Sequence, residues 1–182
     1  MTQIPTTLIP TTTLPLETAQ GLVDVPLTRP SFPAYTGTLQ GDRFGNKDLL
    51  HVDDKPQFAE VAILRAFEAD GWQGRWVEPY QRAAMDPSIL HAWNGGAFKT
   101  QEQVPIAELW VKERLHAIAS QNRNSYAGCW DVVAWKDERL IFVEAKLSKK
   151  DRMRPTQLRW LEAALKCGCA VEDFLVVEWT LS

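Results

Sequence analysis

The chain has 182 residues, a length suited to one domain, and its 45% hydrophobic and 24% charged content excludes a disordered polar chain. A net charge of −3 means that the overall field does not attract a polyanion, so any nucleic-acid site must be a local basic patch. Cys129, Cys167 and Cys169 are odd in number and lack disulfide or zinc-knuckle spacing, and His51, His91 and His116 lie far from them in sequence; buried reduced thiols are expected. No basic segment leads into an apolar run at the start and no apolar stretch of 18 residues occurs, so the expected location is cytoplasmic, with no membrane partner.

Residues 1–40 hold ten Thr and six Pro, with Arg29 as the one basic residue. Proline fixes φ and removes a donor, so this stretch is predicted to form an extended arm or tail, without a helix or a central strand. Leu8, Ile9, Leu14, Leu16, Leu22 and Val23 are anchors by which such an arm would lie on its own domain or on a second subunit. The main domain is expected over residues 53–182, where Asp53 and Asp54 are placed to cap a helix running from Pro56 or Gln57 to Ala69 and closed by Gly71. Residues 75–80 read as a short strand ending near Pro79, and residues 81–103 as an irregular excursion with turns at Asp86-Pro87 and Asn94-Gly95-Gly96. A helix is predicted from Pro105 to about Ser120, with Ile106, Trp110 and Ala117 on one face and Val111, Leu115 and Ile118 on another, packing on both sides. Residues 129–135 and 140–147 are β-rich runs that pair antiparallel across a polar turn. Pro155 opens a helix to about Lys166, stopped at Gly168, and residues 173–181 form a last strand.

Chemistry concentrates in that last third. Alternation along a strand puts Leu140, Phe142, Glu144 and Lys146 on one face, and Asp131 on the neighbouring strand approaches Glu144 where the register allows. Two converging carboxylates beside an ammonium suit an oxygen-liganded Mg²⁺ and an attacking water, although Glu-x-Lys on a strand, taken alone, is far more often an ordinary solvated pair. Glu60 falls in the middle of the stripe made by Ile63, Leu64 and Phe67 on the first predicted helix, so it faces inward and needs a partner supplied by the sheet. Lys149, Lys150, Arg152 and Arg154 follow Lys146 closely; such a run is either a solvated loop or a phosphate-positioning patch. Gln157 lies beside the apolar stripe of Trp160, Leu161 and Ala164, with its amide poised toward the sheet.

Asp131, twelve residues and then Glu144-Ala145-Lys146, on adjacent strands between a leading and a trailing helix, resembles the PD-(D/E)XK nuclease superfamily. The finer likeness is to its VRR-NUC branch, the virus-type replication and repair nucleases, carried by Glu60, Gly128-Cys129-Trp130-Asp131, Phe142 to Lys146 and Gln157 to Leu161. It covers about residues 57–181, with about 84–125 as an insertion, and departs from the family where Trp130 stands in place of the usual Pro. The resemblance implies an α/β, restriction-endonuclease-like core of helix, strand, strand, strand, helix and strand, with a mixed sheet flanked by helices. It further implies Mg²⁺- or Mn²⁺-dependent hydrolysis of DNA phosphodiesters, by an endo- or exonuclease often selective for flaps or junctions and often homodimeric. Asp131, Glu144 and the Ala145 carbonyl would be metal ligands; Lys146 would orient the water and stabilise phosphorane charge; Glu60 and Gln157 would support the site. The rival expectations are a catalytically silent nucleic-acid-binding module on the same fold and a protein-interaction domain working through the arm and the insertion helix.

Overall fold

Val, Ile, Phe and Trp crowd the last third of the chain at strand spacing, and the sheet is centred there. The computed structural model describes residues 3–38, 41–44, 47–79 and 87–182. Its strands and helices are, in chain order, β1 (Thr12–Thr18), β2 (Gly21–Thr28), β3 (Ser31–Phe32), β4 (Leu50–Val52), β5 (Lys55–Gln57), α1 (Ala59–Ala69), β6 (Gln73–Glu78), β7 (Ser88–Leu90), α2 (Leu109–Gln121), β8 (Val132–Lys136), β9 (Arg139–Leu147), α3 (Pro155–Lys166) and β10 (Phe174–Leu181). One mixed sheet runs in the order β1-β2-β10-β9-β8-β6-β7, with β3 also joined to β10, while β4 and β5 make a separate ribbon. β6, β8 and β9 are antiparallel neighbours, and β10 lies parallel to β9. The core sequence α1, β6, β8, β9, α3, β10 is the mixed α/β, restriction-endonuclease-like arrangement.

Both faces of the sheet are covered, which is why β9 is apolar on alternate residues of both parities. Ile141 and Val143 meet Ile63, Leu64 and Phe67 of α1 on one side. Leu140 and Phe142 meet Trp160, Leu161 and Ala164 of α3, together with Val111, Leu115 and Ile118 of α2, on the other. Side chains of this size contribute about 1.5–3 kcal/mol each when fully buried, so the two layers fix β9 from both directions. A smaller cluster of Leu49, Phe58, Val61, Trp76, Leu90 and Trp93 closes one end of α1. Among the described residues no helix is long and apolar enough to cross a membrane.

Several local expectations are corrected. Thr12 to Thr28 forms a hairpin rather than a stretch without central strands: β1 pairs with β2, and β2 joins β10 through Leu27 and Thr28. The prolines fit because Pro15 lies on the outermost strand and Pro26 precedes the two pairs that join β2 to β10. Leu8, Leu16, Val25 and Leu27 are buried, so order begins well before Asp53, whereas Leu22 and Ile9 are exposed. Asp53 and Asp54 do not cap α1; both have positive φ, at 49° and 58°, and form the turn between β4 and β5, while Phe58 occupies the N-cap. α2 begins at Leu109 and buries only one stripe, with Leu109 and Ala117 exposed, because α3 covers that stripe and no element among the described residues covers the opposite face. The Asp86 end of the Asp86-Pro87 turn lies outside the described residues, and the excursion contributes β7 to the sheet edge against β6.

Candidate active site

The site is built where β8 begins. Gly128, at φ 85°, packs on the first turn of α3 so closely that a Cβ would lie 2.1 Å from the Thr156 carbonyl oxygen, so only glycine fits. Trp130 is fully buried, sets its ring edge-on to Phe174 at 4.9 Å between centroids, and donates its indole N–H to the Gln157 carbonyl at 3.3 Å. Trp130 is therefore a tie between the β8 approach and α3. It leaves Asp131 one residue ahead of β8, where its carbonyl accepts the Val77 N–H at 2.8 Å.

The β8–β9 ladder pairs Val132 with Val143, which sets Asp131 opposite Glu144. Asp131 Oδ2 accepts the Ala145 N–H at 3.0 Å. Glu144, 1% exposed, places Oε1 2.7 Å from Lys146 Nζ and accepts a hydrogen bond there from the Gln157 amide. Its other oxygen, Oε2, is buried and receives no hydrogen bond among the described residues. Gln157, at the third position of α3, uses its own oxygen to accept from Lys146 Nζ at 3.1 Å and from the Arg154 N–H at 2.8 Å. One amide thus caps the start of the helix and locks Lys146 to Glu144.

Glu60 reaches the same end of the sheet from α1. It is 6% exposed, and its Oε1 is 2.7 Å from Lys47 Nζ. The lysine lies at 5.5 Å from the Phe58 ring centroid and 5.9 Å from that of Trp76, in cation–π range. No sequence pattern points to Lys47: it sits in a loop, where no periodicity marks a side chain as inward. Asp48 and Lys47 line a cleft of about 260 Å³ together with Glu60, Ala145 and Lys150. Of the basic run, Lys150 alone reaches this lining, 3.6 Å from Asp48; Lys149, Arg152 and Arg154 are exposed beyond it.

The electrostatics follow from crowding. Burial raises the Glu144 carboxyl well above the ordinary range, and the nearby Asp131 adds to the rise against the pull of Lys146. Asp131 is raised likewise, by burial and then by Glu60, with Lys47, Lys146 and the Ala145 N–H opposing. Burial pushes Lys47 down, but Glu60 and Asp131 outweigh it and the ammonium is held charged. Two facing carboxyls, both raised and one with an unmatched buried oxygen, form a donor set suited to a hard cation. Among the described residues no three His, Cys, Asp or Glu side chains converge into a chelating group, so a backbone oxygen would have to complete the set.

The VRR-NUC domain matches residues 73–178, more than half of the 182-residue chain. The chain belongs to the VRR-NUC family. That places it in the PD-(D/E)XK nuclease superfamily and gives it a nuclease-type domain. No curated protein and no solved structure matches it. The VRR-NUC span contains Asp131, Glu144, Ala145, Lys146 and Gln157, whereas Glu60 and Lys47 come from the chain ahead of it.

Proposed function

We propose that this VRR-NUC protein hydrolyses phosphodiester bonds in DNA with Mg²⁺ or Mn²⁺, with selectivity for flapped or junction substrates. The observation that carries the reading is the buried, unmatched Oε2 of Glu144 opposite Asp131, a carboxylate oxygen that only a cation or a proton would satisfy. Asp131 and Glu144 would hold the ion. The Ala145 carbonyl would join them, since in an extended strand it points to the same side as the N–H that Asp131 accepts. When bound, the ion supplies polarisation of the phosphate and a more acidic water.

The chain's own residues do the rest. Lys146, held by Glu144 and Gln157, cannot swing away, so its ammonium is preorganised to orient the water and to balance charge that develops on the phosphorane. Glu60 and Gln157 fix the two sides of the site. Lys150 lies in the cleft lining, and Lys149, Arg152 and Arg154, exposed and close to it in the chain, would contact the flanking phosphates.

The test is cleavage of linear, flapped, junction and single-stranded DNA by the purified chain in Mg²⁺, Mn²⁺ or chelator. Metal-dependent cleavage, favouring flaps or junctions, is expected. Unaltered cleavage in chelator overturns the metal assignment, and tight binding without cleavage under every condition selects a silent binding module instead. Sedimentation of the same sample reads whether the protein is the homodimer that the family resemblance implies.

A further inference from the structure

We propose that Lys47 serves as the resident cation of the carboxylate set, and that a divalent ion enters the site by displacing its ammonium. This rests on the metal-dependent reading above but concerns a residue outside the VRR-NUC span, supplied by a loop thirteen residues ahead of Glu60. Two buried acids, Glu60 and Glu144, lie on either side of the half-buried Asp131, which feels the charge of Glu60. Lys146 is committed to Glu144 and Gln157, so it does not compensate the Glu60 side. Lys47 does, with its ammonium 2.7 Å from Glu60 and within electrostatic reach of Asp131 and Glu78.

An ammonium paired with Glu60 and within electrostatic reach of Asp131 repels a divalent cation held by Asp131 and Glu144, so close occupancy by both is disfavoured. The two lysines differ in freedom to yield. Lys146 has a side chain 10% exposed and two partners. Lys47 has a side chain 38% exposed and lines the open cleft, with its ammonium in cation–π range of Phe58 and Trp76. Its head can exchange Glu60 and the two ring faces for the cleft mouth, beside Asp48, without disturbing a buried side chain. There it would face an incoming backbone phosphate, so ion entry and substrate contact would be linked through one side chain.

The experiment is Mn²⁺ titration of the full chain by calorimetry, paired with thermal melting in chelator and in saturating Mn²⁺. Reciprocal linkage predicts that Lys47→Gln binds Mn²⁺ about fivefold tighter or more, melts below the parent in chelator, and recovers most of that gap in Mn²⁺. Lys47→Arg, which keeps the charge and can grip Glu60 with two donors, is expected to bind Mn²⁺ more weakly than the parent. Should Lys47→Gln not fold, Lys47→Arg carries the test, and Mn²⁺ binding by it as tight as the parent's or tighter overturns the proposal. Equal Mn²⁺ affinity in parent and Lys47→Gln, with the same melting gap in both buffers, makes Lys47 a structural tie and overturns displacement while metal dependence stands. No Mn²⁺ binding by the parent, by Lys47→Gln or by Lys47→Arg sinks both readings together.

Discussion

At its polar end the sheet is flanked by two Glu–Lys pairs, a buried one toward α3 and a half-buried one toward α1, and they are constructed differently. Toward α3, Glu144 and Lys146 are two residues apart on β9 and are clamped by Gln157, whose position is fixed by the start of α3. Strand pitch and a helix end determine that geometry, and neither yields easily. Toward α1, Glu60 is fixed by its helix but its partner comes from a loop. The difference teaches where rigidity and adjustment reside: the α3 side is clamped, as the proposed chemistry requires, and the α1 side has room to adjust, as the proposed displacement requires.

The largest effect that would test this division is on Glu144. Glu144→Gln should lower cleavage by roughly 10³-fold or more, on the scale of removing a group that stabilises transition-state charge. Substantial cleavage by that variant would move the chemistry off the α3 side. Lys146→Met should cost kcat about 10²-fold, as expected for an interaction made mainly in the transition state, with DNA affinity in Ca²⁺ within a few fold. A variant that loses affinity and keeps kcat would make Lys146 a phosphate grip. Glu60→Gln, on the adjustable side, should reduce cleavage by only about tenfold, like other supports of a metal site. If it matches Glu144→Gln in single-turnover assays, the two sides are not distinct.

Smaller effects sharpen the comparison. Neutralising Lys149 and Arg152 should weaken binding a few fold and flatten the slope of log K against log[salt] by about 0.9 for each phosphate no longer neutralised, leaving kcat at saturating DNA unchanged. An unchanged slope would place the DNA path elsewhere. The pH dependence of stability reads the carboxylates directly. Asp131 and Glu144 are both raised from ordinary values of 3.8 and 4.5, so between those values and the raised ones the folded state binds more protons than the unfolded state. Stability in chelator should therefore fall as pH rises through that window, by a few °C in melting temperature, and Asp131→Asn should flatten the fall. Rising stability across the same range would contradict the crowded-carboxylate description.

The α3 side was legible in the sequence because its rules are local. Alternation set Glu144 beside Lys146, the hairpin brought Asp131 toward Glu144 with the register left for the Val132–Val143 pairing to settle, and Pro155 fixed where Gln157 would fall in its helix. Glu60 was legible for the same reason, through helical spacing. Lys47 was not, since a loop side chain has no period to betray its direction. The N-terminal hairpin was hidden by composition: its prolines argue against a central strand until the pairing shows Pro15 at the rim and Pro26 outside the β10 ladder. Asp53 and Asp54 misled because short acceptor side chains serve helix caps and left-handed turns alike, and the residues around them did not say which.

The joining of β2 to β10 has a consequence for how the molecule assembles. Leu27 pairs with Val176 and Thr28 with Val177, so an early hairpin and the last described strand meet only after nearly the whole intervening chain has been laid down. Closing so long a loop costs entropy before any contact rewards it, and folding rates fall as such distant pairings accumulate. The β8–β9 hairpin that carries Asp131, Glu144 and Lys146 can form locally and early, but β9 acquires its parallel neighbour only with β10. During synthesis the acidic hairpin therefore precedes the sheet that rigidifies it, and competence to cleave would arrive as one of the final events of folding.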